Sequence, residues 1–481
     1  MKLLRGAVVA GTLAVLVFAV PASAVAVPWQ NAKEVVLPKG ATGIPNGFLP
    51  SLACTSAGNC VAAGDYSASS GAVQGLIVGE TNGVWAPPIS IQPPVGAGPN
   101  PAVTIYGVSC SVAGNCAAVG DYEDAARNIV PLTVNEDGGT WQRARALVLP
   151  KNALVNGQAG ELRDVVCSAP NNCSAVGEYF DDYRAYPRSE GFVATEVRGR
   201  WSAASEVTMA KRTNFNPFVT FSQLACSSVG NCVGVGSYID ANSVTEGLIV
   251  SQVRGAWRNG VSLALPSSAS AFAGASLSEV TCLPDSSCAA FGTFNSSTGA
   301  VEAMATSGAN GSWARGTELA MPAGASANPH AFLFGYNGIA CAAVGNCTVG
   351  GQYKDSAGAY QGFLANEVDG VWTPAVEMAL PSGGVSSGPN GGIVALTCPA
   401  VGGCQASGAY LDNTGSYQAL TLSEVDGVWQ RGTKVLLPAG GTTVGVDGGI
   451  YAINCPTAND CVGVGSFLKS GTDYEGFTLQ T

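Results

Sequence analysis

Sixteen cysteines are the most reactive side chains in this sequence. They fall in eight pairs with five residues between partners: Cys54/Cys60, Cys110/Cys116, Cys167/Cys173, Cys226/Cys232, Cys282/Cys288, Cys341/Cys347, Cys398/Cys404 and Cys455/Cys461. Thiols so spaced can exchange electrons, ligate a soft metal or close as disulfides. With one histidine in the chain, His330, zinc would have to be held by cysteines alone, and copper or di-metal chemistry lacks its usual ligands. No metal and no cofactor is implied. An even count at constant spacing fits a disulfide framework, provided the protein leaves the reducing cytosol. Acid–base or ligand-binding potential gathers in two further places. One is the segment Asp181-Asp182-Tyr183-Arg184-Ala185-Tyr186-Pro187-Arg188, with Asp164 upstream; the other surrounds His330.

The N-terminus supports export. Lys2 and Arg5 precede an apolar run from Gly6 to Val20, and Ala22-Ser23-Ala24 offers a small-x-small cleavage site. Residues 1–24 therefore read as a signal peptide and 25–481 as the mature chain, secreted, extracellular or held at the cell surface. An uncleaved membrane anchor is the alternative, although the run is short for a span. The net charge of −11 argues against nucleic acid and anionic membranes as partners. Charged residues are 11% of the chain and hydrophobic ones 47%, so most segments must be buried on both faces.

What positions the candidate residues is a repeat. First cysteines of successive pairs lie 56 to 59 residues apart, a period that suits four short strands, A to D, with generous loops. Strand A ends at the first cysteine, with an aliphatic residue two before it (Leu52, Val108, Val165). A tight Gly-Asn turn follows and strand B begins at the second cysteine, placing the two thiols across a hairpin. Strand B carries glycine four residues after its cysteine in every unit, from Gly64 to Gly465, and an aromatic two further on (Tyr66, Tyr122, Phe294). Such a glycine marks close approach, and a bulky side chain from the adjacent unit is expected in the hollow. Strand C alternates and ends in a turn such as Asn82-Gly83. Strand D opens with tryptophan and in most units ends in proline (Pro38, Pro150, Pro266, Pro322, Pro381, Pro438), which suits an outer edge.

The two ends carry the register. Trp29 to Pro38 is a complete strand D before any cysteine pair, and the unit from Cys455 to Thr481 stops after strand C. Seven whole units plus a split eighth predict a closed ring: an all-β, eight-bladed β-propeller of four-stranded antiparallel blades, sealed by residues 29–38 pairing with Gly476 to Gln480.

Over residues 29 to 481 the pattern resembles the β-propeller repeat proteins. Its C-to-D turn is similar to the Asp-box hairpin of sialidase-type propellers, nearest at Glu136-Asp137-Gly138-Gly139-Thr140-Trp141. In that family the box is structural, so the resemblance implies a fold and no active-site residue. The cysteine-pair units are also similar to exported repeat proteins of actinobacteria.

The second cysteine and the next tryptophan are 25 residues apart in every complete unit except the third, where the B–C loop from Asp181 to Arg188 makes it 28. Tryptophan to first cysteine is 25 or 26 except for 28 around His330. Both insertions fall on the face of the B–C and D–A loops, which marks it as a binding face. Asp164, Asp181, Asp182, Arg184, Tyr186, Arg188 and His330 are the candidate ligand residues, against neutral loop drift as the alternative. Near the channel, strand A adds Arg163, Gln223 and Glu279. Asp124, Asp240, Asp355 and Asp412 open other B–C loops and are expected to cap their own turns rather than hold calcium. These features point to a non-enzymatic binding or surface-interaction module with a protein or cell-envelope glycan partner. The alternative is a glycosidase- or lyase-type enzyme, with Asp164 and Asp181 or Asp182 as its carboxylate pair.

Overall fold

The computed structural model describes residues 28–42, 46–154, 160–182, 187–332, 337–385, 391–441, 449–469 and 473–481. The expected leader lies outside the described residues. Strands account for every regular element there, arranged as eight antiparallel sheets in the order A-B-C-D. Blade 3 is representative: A is Gly160–Ala169, B is Asn172–Asp181 and C is Arg188–Val197, while D is two pieces, Arg200–Trp201 and Ser205–Glu206.

Every cysteine pair is a disulfide across its A–B hairpin: Cys54–Cys60, Cys110–Cys116, Cys167–Cys173, Cys226–Cys232, Cys282–Cys288, Cys341–Cys347, Cys398–Cys404 and Cys455–Cys461, with Cα atoms 3.9–4.1 Å apart. The strand-B partner is buried in each case: Cys60, Cys116, Cys173, Cys232, Cys288, Cys347, Cys404 and Cys461. No cysteine is left free, and the strand-B sulfurs are not presented to a ligand. Of the chemistries their spacing allows, the disulfide staple is the one realised.

The sheets form a closed ring. Lys33–Glu34 pairs with Tyr474–Gln480, matching Lys33 to Thr478 and Glu34 to Phe477, so the N-terminal segment is the outer strand of blade 8. Gln30 N–H donates to the Gln480 carbonyl at 2.7 Å and Val35 N–H to the Gly476 carbonyl at 2.8 Å. Trp29 packs with Phe467 and Phe477 in one apolar cluster.

Strand D is broken where a continuous strand was expected, and the break has a cause. The N–H three residues after the tryptophan turns away from its own sheet and donates to strand D of the preceding blade. Examples are Ala204 to Val148, Ala375 to Ala320 and, across the seam, Ala32 to Leu436. Some indole N–H groups add a second tie: Trp201 donates to Asn135 Oδ1 at 3.1 Å and Trp257 to Thr195 Oγ1 at 3.1 Å, both one blade back. The core is accordingly divided among blade interfaces; one cluster joins Val35, Leu49, Tyr66 and Leu76 to Ala452 and Val464.

The strand-B glycines correct an expectation. No side chain from the next blade fills the hollow. A Cβ on Gly64, Gly120, Gly177, Gly236, Gly292, Gly408 or Gly465 would fall well inside 3.0 Å of a backbone carbonyl of strand A in the same blade, six residues before its cysteine. At Gly351 the obstruction is the Phe332 carbonyl at 2.7 Å. Beside this contact strand A bulges in seven blades: Ile105 pairs with Gly120 and Gly107 with Val119, leaving Tyr106 unpaired, and Arg163 is skipped likewise between Leu162 and Asp164. A bulge re-aims the extra residue. Here it brings the residue four before the cysteine to the wall of the channel cavity in blades 1 to 4: Pro50, Tyr106, Arg163 and Ser222.

Because the seam depends on the segment 29–38, a variant lacking residues 1–38 should lose the burial of Ala32, Val35 and Leu37, on the order of 4 kcal/mol. Its melting temperature should fall by roughly 5 °C or more relative to the mature chain. Equal melting of the two proteins would contradict closure by this strand.

Candidate functional site

The bulges of adjacent blades converge at the channel end nearest the B–C and D–A loops. Tyr106 and Arg163 are the bulge residues of blades 2 and 3, and the Arg163 guanidinium lies 5.6 Å from the centre of the Tyr106 ring. Arg163 is fixed by two carboxylates, through Nε to Glu178 at 2.7 Å and through Nη2 to Glu161. Glu178 also accepts the Phe221 N–H of blade 4 at 2.6 Å, so the guanidinium is referenced to a third blade. The Tyr106 hydroxyl is hydrogen-bonded to Asp121, whose neighbour across the blade boundary is Asp65. Asp65, Asp121 and Glu178 occupy one repeat position, five residues after the second cysteine. Beside them a cavity of about 300 Å³ is lined by Tyr106, Arg163, Asp164, Gln223 and Asn337.

Burial pushes the Asp65 carboxyl up to about 7, helped by the charge on Asp121. Burial likewise raises Asp121 to about 6, against the bond from Tyr106 that favours its anion. The two are thus partly protonated near neutrality, while Arg163 is held cationic by Glu178 and Glu161. The mouth carries a fixed cation, an aromatic face, and carboxyl groups able to donate as well as accept.

Below the mouth, side chains tie the blades together. Successive A strands face the channel with edge N–H groups that need partners. Ser51 Oγ accepts the Val108 N–H at 2.9 Å, Asp164 Oδ2 the Leu224 N–H at 2.8 Å, and Gln223 Oε1 the Val280 N–H at 2.6 Å. Blade 2 has Gly107 at this position and nothing to offer blade 3; Asp164 Oδ1 accepts the Val165 N–H itself, at 2.7 Å. Asp164 is therefore a clamp with both oxygens engaged, its carboxyl raised to about 7 by burial in spite of these donors. Glu279 is buried in the same belt, where it accepts the Gly338 N–H, and burial raises it strongly.

The other candidates are placed as follows. Asp181 is 2% exposed and closes the B–C hairpin of blade 3, accepting the Arg188 N–H at 2.9 Å and forming an ion pair with its guanidinium. Asp182 is exposed. Arg184 and Tyr186 lie outside the described residues. Asp164 pairs with Val176, five residues short of Asp181 on the same strand, so roughly 16 Å separates the two along the blade. That exceeds the ~5–10 Å of a glycosidase carboxylate pair, so the pair weighed above is not brought together. His330 is exposed, at φ +44 just after Pro329, with Asn328 Oδ1 accepting the Val301 N–H at 3.0 Å. Asn216-Pro217-Phe218 makes the same turn, with Phe218 at φ +42 and Asn216 Oδ1 accepting the Ser189 N–H at 3.0 Å. The turn needs the asparagine and proline; the histidine is incidental to it. Asp124, Asp240, Asp355 and Asp412 each accept two N–H groups of their own turn, as expected. Among the described residues no group of His, Cys, Asp and Glu is placed to hold a metal ion.

Tyr106, Asp65, Asp121, Glu161 and Glu178 were not singled out in the sequence. The available signal was the position four before the first cysteine, where a tyrosine and an arginine stand in adjacent units.

No protein family matches the chain, and no curated protein does. Among solved structures it is similar to an ulvan lyase of the polysaccharide lyases, at 11% identity and TM-score 0.44 over 76% of this chain and 89% of that one. It is similar to a Trypanosoma rangeli sialidase at 11% identity and TM-score 0.34, over 78% of this chain and 53% of that one. An Aleuria aurantia lectin matches at 11% identity and TM-score 0.30, over 84% and 99%. Values this low transfer no activity, and the functional reading rests on the geometry of the channel mouth.

The raised carboxyls fix a pH dependence. Asp65, Asp121, Asp164 and Glu190 have folded pKa values of about 7, 6, 7 and 7, above their unfolded values near 4. A group of this kind contributes stability fully below its unfolded pKa and loses it as pH rises through the folded one. The turn aspartates act oppositely, Asp412 being lowered to about 2, but their contribution is lost only below about pH 4. Melting temperature should therefore rise on going from pH 8 to pH 5. A fall over that interval in thermal scans would refute these protonation states.

Proposed function

We propose that the protein is an exported, non-catalytic carbohydrate-binding propeller that holds a saccharide at the channel mouth between blades 2 and 3. The single observation behind this reading is the Tyr106–Arg163 pair, an aromatic ring with a planar donor held over it in the wall of a cavity of about 300 Å³. Pyranose rings offer an apolar C–H face and a rim of hydroxyls, and concave sites with a few fixed polar groups recognise such ligands. Glu161 and Asp121 supply acceptors, and a protonated Asp65 a donor. The cavity has room for one or two sugar units; a protein partner would need about 800 Å² of surface. Export is supported by the leader-like N-terminus and by eight disulfides, which suit an oxidising compartment. A cell-envelope glycan is the partner class that fits both.

One observation favours a second reading, of glycosidase or lyase type. Asp65 and Asp121 are neighbouring carboxyls that burial raises toward neutrality, as a general acid requires. Against it, the other channel carboxylates are occupied: Asp164 and Glu178 accept backbone N–H groups of the next blade.

Glycan-array screening of the purified mature protein, followed by titration calorimetry on the ligands found, tests both readings. Tyr106→Ala should weaken binding at least ~10-fold, about 1.4 kcal/mol, with an unchanged melting temperature. Unimpaired binding by Tyr106→Ala would remove the channel mouth as the site. Release of reducing ends or unsaturated sugars, abolished in Asp65→Asn or Asp121→Asn, would establish the enzymatic reading instead.

A further inference from the structure

A second cavity lies on the outer flank, away from the channel, in the cleft between blades 2 and 3. It measures about 720 Å³. Arg143 and Arg145 reach it from strand D of blade 2, Arg198 from the C–D turn of blade 3 and Arg200 from the start of its strand D; the Trp201 ring forms one wall. Asp137 is its sole acidic lining residue. In a chain of net charge −11, four of fourteen arginines meet in one groove.

The repeat gives a control for this arrangement. The four arginines stand two and four residues after one tryptophan and three and one before the next. At every other blade junction these positions hold at most one arginine or lysine. The junction of blades 8 and 1 has a comparable groove of about 770 Å³, but Val36, Val84, Pro87 and Pro88 line it and Lys33 is the one cation at those positions. The fold supplies the groove; only here is it filled with positive charge.

Local structure asks for Arg143, whose bond to the preceding blade recurs at Arg315 and Arg431, but not for the other three. Arg198 has φ +52, where other C–D turns place Asn82 at +50, Asn310 at +52 and Asp426 at +51, residue types that tolerate this conformation. Nor does the fold use the charges of those three. Arg143 donates to the Pro93 carbonyl at 2.8 Å and so joins blades 1 and 2. Arg145, Arg198 and Arg200 have no hydrogen-bonding or ion-pair partner for their guanidinium groups among the described residues. Arg145, Arg198 and Arg200 are exposed, so solvent screens their charges, and an anion entering the groove meets three guanidinium groups that the described residues leave unpaired.

We propose that this groove is a binding site for an acidic polysaccharide, one whose sugars carry carboxylate or sulfate groups. Arginine forks match both anions in bidentate geometry, and Trp201 offers a face to the intervening sugar rings. A nucleic acid fits less well. Its charge density, about one per 1.7 Å of duplex, would carry most phosphates past the four arginines and over an acidic surface. The site is separate from the channel mouth and stands or falls without it.

Affinity electrophoresis of the mature protein in gels containing dextran sulfate, polygalacturonate or neutral dextran tests the proposal. The informative variant is Arg145→Thr/Arg198→Asn/Arg200→Val, which installs residues found at the same positions of other blades and so preserves the fold. Arg143 is left in place because it joins two blades. Wild type should be retarded by at least one of the two polyanions and not by neutral dextran, with retardation weakening as salt rises. The triple variant should lose at least tenfold in affinity, while Tyr106→Ala behaves as wild type. Retardation by both polyanions, or by one, tells whether the site accepts carboxylate, sulfate or either. Undiminished binding by the triple variant, no binding of either polyanion, or duplex DNA bound as tightly as dextran sulfate would overturn the assignment.

Discussion

The contact on which this molecule depends is a missing Cβ. In seven blades the glycine four residues into strand B lets a carbonyl of the inner strand approach closer than any side chain would allow, and in blade 6 the Phe332 carbonyl takes that place. In those seven blades the approach goes with a bulge in strand A, and in blades 1 to 4 the bulge brings Pro50, Tyr106, Arg163 and Ser222 to the channel cavity. Tyr106 and Arg163 occupy the mouth for this reason. A glycine seemingly chosen for packing thus sets the geometry of the candidate site from the neighbouring strand.

Cohesion between blades is a separate matter from cohesion within them. The disulfides close short A–B hairpins and cross no blade boundary, so they stiffen units without joining them; about 2 kcal/mol each is the expected contribution. The ring is joined by other means: D-strand N–H groups donated backwards, indole ties such as Trp201 to Asn135, and the channel clamps of Ser51, Asp164 and Gln223. Polar groups in the channel wall satisfy strand edges that would otherwise be bare. This explains why acidic residues so near a channel mouth carry little freedom to act. Asp164 is the clearest case, since a glycine in blade 2 leaves it two donors to serve.

The ring, the blade count and the seam were legible in the sequence because they follow from periodicity. A tryptophan before the first cysteine pair and none after the last can be counted without coordinates. The role of the strand-B glycine was not legible. Its periodicity shows that something approaches, but a neighbouring side chain and the blade's own carbonyl leave the same mark. Loop insertions drew attention to Asp181 and His330, and the structure gives both a local cause: a hairpin-closing ion pair with Arg188, and a turn fixed by Asn328 and Pro329. Asp65 and Asp121 were hidden because strand alternation predicts only that they oppose the glycine face. Their proximity comes from adjacent blades being set side by side, which no linear pattern records. The arginine groove could have been found by aligning positions around each tryptophan, since the signal there is four arginines coinciding at one junction where others hold at most one basic residue.

Thermal unfolding of Gly236→Ala beside Gly79→Ala examines the carbonyl–glycine contact most directly. A Cβ at Gly79 meets nothing within 4 Å, whereas one at Gly236 collides with the Thr220 carbonyl. The account predicts a loss of roughly 3 kcal/mol or more for Gly236→Ala, since strand A must lift off strand B, and a change within about 0.5 kcal/mol for Gly79→Ala. Equal stability of the two variants would contradict it.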